Sequence, residues 1–334
     1  METKQCIYCK KTDPSLFKGV EHLIPQSFGT FGTETPTLDC VCDECNNFFG
    51  RTIDQAFARD SWEGVTRYKQ GIQSSEERPQ KRLDFRLGDE PEMGMFSGAK
   101  LAGVDSKTGK IQLPLTQFQI LNKKTEKYDV FEFSQIKDLK LPEDTYGIAG
   151  TRKTKLFAPT DEEYDKLIEE LKKIGIDSSK NEKFRAPFIE GKKEDEQISI
   201  PVEVVGTIDS TIKRAIVKIL LNFSAKYIGA DEVLKPEWDK ARSYVRNDTE
   251  PILGRLNNKA FWGEETDTMR YEGNSFNIVV DNEGSNVVGK LQAYNFYTYD
   301  FVLAENYNFP EEKGKGARFT KGEPPAFAEK RTRS

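Results

Sequence analysis

Two Cys-x-x-Cys pairs, Cys6–Cys9 and Cys42–Cys45, bracket His22, the single histidine of a 334-residue chain. Thiols at that spacing suit a tetrahedral structural zinc, whose four-sulfur shell can fold a segment too small to build its own core. Residues 10–41 lie between the pairs, more than a minimal zinc ribbon holds, so an element the size of a β-hairpin must sit between the two knuckles. The competing reading of either pair is redox chemistry. That would want a pair at a helix N-terminus inside a βαβ pattern, which is not visible here. Cys40 is separated from Cys42 by one residue, a poor spacing for the same metal, and reads as a small buried residue.

The rest of the composition sets the setting. With 31% charged and 36% hydrophobic residues the chain has the balance of a soluble globular protein, and its length accommodates two domains. No apolar run approaches the roughly 20 residues of a membrane span. The stretch Met1-Glu-Thr-Lys-Gln5 lacks the apolar core of a signal peptide, and paired cysteines fit metal in a reducing compartment, so a cytoplasmic location is expected. A net charge of −5 argues against a surface coated for non-specific nucleic-acid binding, while a local basic cleft stays compatible with it.

Read in order, residues 1–70 form a first unit. Val20 to Ile24 has strand character and ends at Pro25, with the loop Phe28-Gly-Thr-Phe-Gly32 behind it. A helix is expected to start near Asn46, burying Phe49, Ile53, Ala56 and Phe57, with Asn47, Gly50 and Asp54 as a second stripe. The glycine there leaves room for something to approach. Residues 71–110 are polar and Gly- and Pro-containing, and read as a linker or long loop.

Residues 111–312 read as an α+β accessory domain. Ile111–Leu115 and Tyr128–Phe133 have strand character. Thr160 and Glu163 form a capping box before a helix striped by Tyr164, Leu167, Ile168, Leu171 and Ile174 and stopped by Gly175. Lys180–Gln197 reads as a charged loop, and Ile198–Val205 as an edge strand. The strongest helix carries Ile212, Ile216, Ile219, Leu220, Phe223 and Tyr227, with Gly229 after it. Phe276 to Leu303 reads as a hairpin, with Tyr297, Tyr299, Phe301 and Leu303 alternating. Residues 313–334 carry Lys313, Lys315, Arg318, Lys321, Lys330, Arg331 and Arg333 against Glu323 and Glu329, and are expected to be disordered and to add phosphate contacts.

A lone histidine is ordinarily a surface or satisfied core residue. This one follows a carboxylate, Glu21, on a strand between two metal knuckles. Neighbours on a strand point to opposite faces, so convergence of Glu21 and His22 on one site requires a twisted or bent strand end. Phosphodiester cleavage needs a base for water, a cation for the developing charge, and a fixed scissile bond. His22 can be the base, while Glu21 and an asparagine at the helix start can hold one Mg²⁺.

The pattern Cys-x-x-Cys, Glu-His-x-x-Pro, Cys-x-x-Cys-Asn-Asn-x-x-Gly-x-x-x-Asp resembles the HNH endonuclease family, in the zinc-stabilised branch whose last histidine is asparagine. The resemblance covers residues 6 to about 60 and implies a ββα-metal module followed by a larger mixed α+β domain. It implies His22 as general base, with Glu21 and Asn46 as ligands of a catalytic Mg²⁺ or Mn²⁺. Thr37 stands where the family's middle asparagine steadies the base-bearing strand, so either Thr37 does this less rigidly or Asn47 substitutes. Asp54 recurs in that branch, supporting the site or helping to hold the metal. The function implied is endonucleolytic hydrolysis of nucleic acid, DNA favoured over RNA. A loose analogy of the later helix and hairpin suggests bacterial restriction or phage defence. The competing reading is an effector subunit or zinc-braced binding module that borrows its target recognition from a protein partner docked on residues 111–334.

Overall fold

The computed structural model describes residues 4–31, 35–69, 83–88, 98–101, 115–148, 150–177, 202–257, 275–294, 297–310 and 314–327. Most of the expected linker at 71–110, most of the strand at Ile111–Leu115, and the charged loop at 180–197 lie outside them. The chain is α+β and divides into two compact units, one made of residues 1–82 and 207–334, the other of Leu83–Gly206. The C-terminal third therefore belongs with the N-terminal module, and the expected accessory domain at 111–312 is split between the units. Sequence order hid this because the shared core is built from apolar residues more than 200 positions apart.

In the first unit, β1 (Glu21–His22) pairs antiparallel with β2 (Thr37–Leu38), placing Glu21 opposite Leu38 and His22 opposite Thr37. Helix α1 (Asp43–Arg51) begins three residues earlier than Asn46. Asp43 also reaches back, its carboxylate accepting from the Gly19 amide at 2.9 Å. The expected helix is broken at Thr52, after which α2 (Ile53–Asp60) and α3 (Trp62–Lys69) follow. Phe49, Ile53, Ala56 and Phe57 are buried as their spacing requires. The second stripe does not hold together across the break: Asn47 is exposed and Asp54 buried.

The second unit holds β3 (Leu83–Leu87), β4 (Gln117–Asn122), β5 (Lys127–Glu132), α4 (Glu143–Tyr146), β6 (Thr154–Phe157), α5 (Asp161–Lys173) and β7 (Val202–Gly206). Strands β5, β4 and β6 form one antiparallel sheet and β3 pairs with β7 in another. Phe118, Ile120, Leu156, Tyr164, Leu167 and Leu171 share its core. The Thr160 hydroxyl caps the Glu163 amide at 3.2 Å, but the Glu163 carboxylate accepts from Thr116 Oγ1 rather than closing the box.

The chain returns to the first unit with α6 (Ser210–Tyr227), α7 (Ala230–Val233) and α8 (Asp239–Asn247), then β8 (Gly254–Asn257), β9 (Ser275–Glu283), β10 (Asn286–Ala293), β11 (Thr298–Ala304), β12 (Lys315–Thr320) and β13 (Ala326–Phe327). These strands make an antiparallel sheet in the order β13-β12-β9-β10-β11-β8. Helix α6 lies against it. A Cβ at Gly289 would come within 2.9 Å of Leu220, so the bare glycine lets the helix sit close. Phe28 of the N-terminal module packs edge-on or tilted against Phe57, Phe276 and Tyr294, which joins module and sheet in one core.

The expected disordered tail is corrected at residues 315–320, which pair along β9 from Lys315–Val280 to Thr320–Ser275. Ala317 and Phe319, alternating with the more exposed Gly316, Arg318 and Thr320, are fully buried. A period-two apolar pattern outweighed the charge count. Residues 328–334 lie outside the description. Among the described residues no helix is long and apolar enough to cross a membrane.

Candidate active site and metal centre

The Sγ atoms of Cys6, Cys9, Cys42 and Cys45 all lie within 4.8 Å of one another. Cys9 and Cys42 approach to 3.5 Å, and the Cys42 amide points at Cys6 Sγ at 3.4 Å. Lys10, at φ 61°, turns the first knuckle so that its amide returns to the Cys6 carbonyl. The second knuckle lies on the first turn of α1. A tetrahedron with zinc–sulfur bonds of about 2.3 Å has this size. Protonation tells the same story. The Cys6 thiol is pulled down to about 4 by its hydrogen bond with Cys45, while burial pushes Cys9 up to about 11. Cys45 is pushed up by the hydrogen bond with Cys6 and by burial. Four thiols cannot ionise together without a cation, and the donor set fits zinc. Cys40 stays outside the cluster, half-buried, its thiol pushed up to about 11 by burial.

His22 is half-buried at the end of β1, ahead of the fully buried Leu23 and Ile24. Its Nε2 lies 2.9 Å from the Gln26 amide nitrogen. With that nitrogen donating, Nε2 is the acceptor and the ring proton sits on Nδ1. Burial, then the Lys218 charge, hold the imidazole below its ordinary value of 6.5, so it is neutral at neutral pH. Asn46 on α1 is brought beside the strand, its amide donating to the Val20 carbonyl at 2.9 Å. Asn47 faces away into solvent, so it does not take the middle asparagine's place.

Glu21, expected as a metal ligand, faces the other way. β1 keeps the ordinary alternation, and Glu21 points inward, 2% exposed. Its Oε1 lies 2.5 Å from Lys218 Nζ and accepts from Asn222 Nδ2 at 3.1 Å. Lys218 is itself fully buried and bonds Asp54 at 2.7 Å. Burial works against the Lys218 charge, but Asp54 and Glu21 outweigh it and keep the ammonium firmly charged. Two carboxylates then share one ammonium, and burial raises Glu21 despite Lys218. A divalent ion on Glu21 would have to displace Lys218. Asn46, half-buried on α1, could offer its amide oxygen to such an ion; Glu21 could not without losing Lys218.

Sequence reading missed α6 as a source of functional side chains, since its apolar residues announced a core helix. Thirteen of its residues are buried, among them Arg214, Lys218 and Asn222 at four-residue spacing. Three polar groups on one face of an otherwise apolar helix were the available signal. What they face could not be read.

Residues 6–61 match the HNH endonuclease family model. No curated protein matches the chain significantly. Nor does any solved structure. The match begins at Cys6 and encloses all four clustered cysteines, His22, Asn46 and Asp54. Residues 6–61 are a zinc-type HNH endonuclease module, and the chemistry of that family is hydrolysis of nucleic acid.

Proposed function

We propose that the protein is a metal-dependent endonuclease that hydrolyses phosphodiester bonds, with DNA as the preferred substrate and His22 as general base. The observation that carries the reading is a half-exposed imidazole at the end of β1, its Nε2 facing the Gln26 amide, with Asn46 held against the same strand. Nε2 of His22 releases Gln26 and takes a proton from water. The water oxygen bonds to phosphorus, the P–O3′ bond breaks, and the leaving oxygen is protonated from solvent. Asn46 would hold a Mg²⁺ or Mn²⁺ ion, which when bound stabilises the developing negative charge. Zinc in the cysteine cluster is structural. Plasmid, single-stranded DNA and RNA are to be incubated with the protein in Mg²⁺, Mn²⁺ or EDTA. Cleavage is expected with metal, and His22→Ala is expected to lower it by roughly 10²–10⁴-fold. Full activity in His22→Ala would refute the mechanism, because the chain has no other histidine.

One observation favours a second reading, a zinc-braced module that binds nucleic acid without cutting it: the Glu21 carboxylate is already neutralised by Lys218. Gel-shift binding without cleavage under every metal would establish it.

A further inference from the structure

Strand β1 is two residues long and has one partner strand. Leu23 donates to the Pro36 carbonyl at 2.8 Å, so Glu21 and Leu23 turn their backbone groups toward β2. Val20 and His22, the intervening positions, turn theirs away, to an edge that carries no strand among the described residues. Unpaired backbone carbonyls beside a buried core are costly, and a two-residue ladder does not hold a side chain still. Both carbonyls on this free edge receive an asparagine amide. Asn46, from α1, donates to Val20 at 2.9 Å, and Asn222, from α6, donates to His22 at 3.3 Å.

Asn222 is fully buried, and each end of its amide is engaged. Its nitrogen also donates to Glu21 Oε1 at 3.1 Å, and its oxygen accepts from the Tyr8 hydroxyl at 2.8 Å. Tyr8 lies between Cys6 and Cys9, so the same amide joins the first zinc knuckle to the strand that carries the base. One helical turn earlier, Lys218 clamps Glu21 to Asp54. Thr37, standing where the family pattern has its middle asparagine, lies across the ladder from His22 and cannot reach this edge.

We propose that Asn222, 200 residues beyond His22 in sequence, is a positioning residue of the nuclease site: it holds the His22 strand through its free edge and ties it to the zinc knuckle. The inference rests on His22 being the base. It makes the module dependent on α6, so residues 1–70 alone lack a complete site. Lys218 assists by keeping the Glu21 side of the strand buried.

The test uses full-length Asn222→Leu, which keeps volume and removes the amide, and Tyr8→Phe, which removes one hydroxyl at little risk to the fold. Plasmid cleavage gives kcat and KM, melting and zinc content report folding, and isotope-labelled histidine gives one imidazole NMR signal because His22 is unique. For Asn222→Leu, kcat per folded molecule is expected to fall about 10- to 100-fold with KM and zinc content near wild type, the cost of a misplaced base. Tyr8→Phe is expected to lower kcat less, and both are expected to shift or broaden the imidazole signal. Unchanged kcat and an unchanged imidazole signal in both variants would overturn the proposal, even if their melting temperatures fall. If Asn222→Leu does not fold, Tyr8→Phe decides alone by the same two readouts. Should wild type and His22→Ala prove equally inactive, the nuclease reading fails by itself, and the imidazole signal then supports or overturns the positioning role.

Discussion

Two buried clusters of acidic donors stand in the same unit and meet the same electrostatic demand in different ways. The four thiols of Cys6, Cys9, Cys42 and Cys45 have cations only at their rim among the described residues, Arg246 and Lys11, and both share their charge with Glu44. They therefore wait for a metal. Glu21 and Asp54 carry their own cation, the fully buried Lys218. A metal-braced cluster is assembled from neighbouring knuckles and gains its stability only on binding. A lysine-braced cluster is assembled by the fold, from helices far apart in sequence, and cannot exist before the fold does. The module expected to need metal at two sites thus needs an external ion for only one of them to hold its shape.

Removing the metal should have the largest effect. Structural zinc contributes on the order of 10 kcal/mol in small zinc peptides. Cys45→Ser or chelation should therefore collapse the knuckles, and because Phe28 packs on Phe276 and Tyr294 the loss should spread to the C-terminal sheet. Metal analysis with melting curves checks this. Wild type should carry about one zinc per chain, and a zinc-free protein with an unchanged melt would dissolve the comparison.

Removing the internal cation comes next. Lys218→Met leaves two buried carboxylates facing each other and should cost about 3–5 kcal/mol. That corresponds to a melting temperature lower by roughly 10 °C for a unit of this size. Adding Glu21→Gln and Asp54→Asn should recover much of it, since the penalty is uncompensated charge rather than lost volume. Failure of the triple variant to recover would mean that Lys218 acts by packing.

The smallest effect is on pH dependence. Burial and Lys218 both disfavour the His22 imidazolium, so the neutral base survives to lower pH than in an ordinary histidine. Cleavage should rise with pH through a midpoint below 6.5 and be level at neutral pH. A midpoint above 6.5 would mean that an anion, not Lys218, governs the imidazole.

How much was legible follows from the range of the interactions. The knuckle spacing, the buried face Phe49–Ile53–Phe57 and the Thr160 cap are local patterns, and each stands as its spacing required. Tyr299, Phe301 and Leu303 are buried too, but Thr298, Asp300 and Ala304 on the opposite face are also buried, so β11 is covered on both faces rather than half-buried. The direction of Glu21 did not follow, because a motif names a residue type and leaves its direction to the strand. The alternation of side chains was known from the sequence; the absence of the bend needed to overcome it was not.

The sequence by itself determined the zinc knuckles, the place of the lone histidine, the long helices α1, α5 and α6 and the strands β1, β5, β7, β9 and β11, because thiol spacing and apolar periodicity act over a few residues. Only the tertiary structure decided that residues 207–327 return to the N-terminal module, that Lys315–Thr320 forms a strand, and that Lys218 and Asn222 reach Glu21 and His22. The physical reason is that a buried ammonium or amide is tolerable only where charges and carbonyls converge on it. That convergence is a property of the packed core, which brings together residues that no local pattern connects.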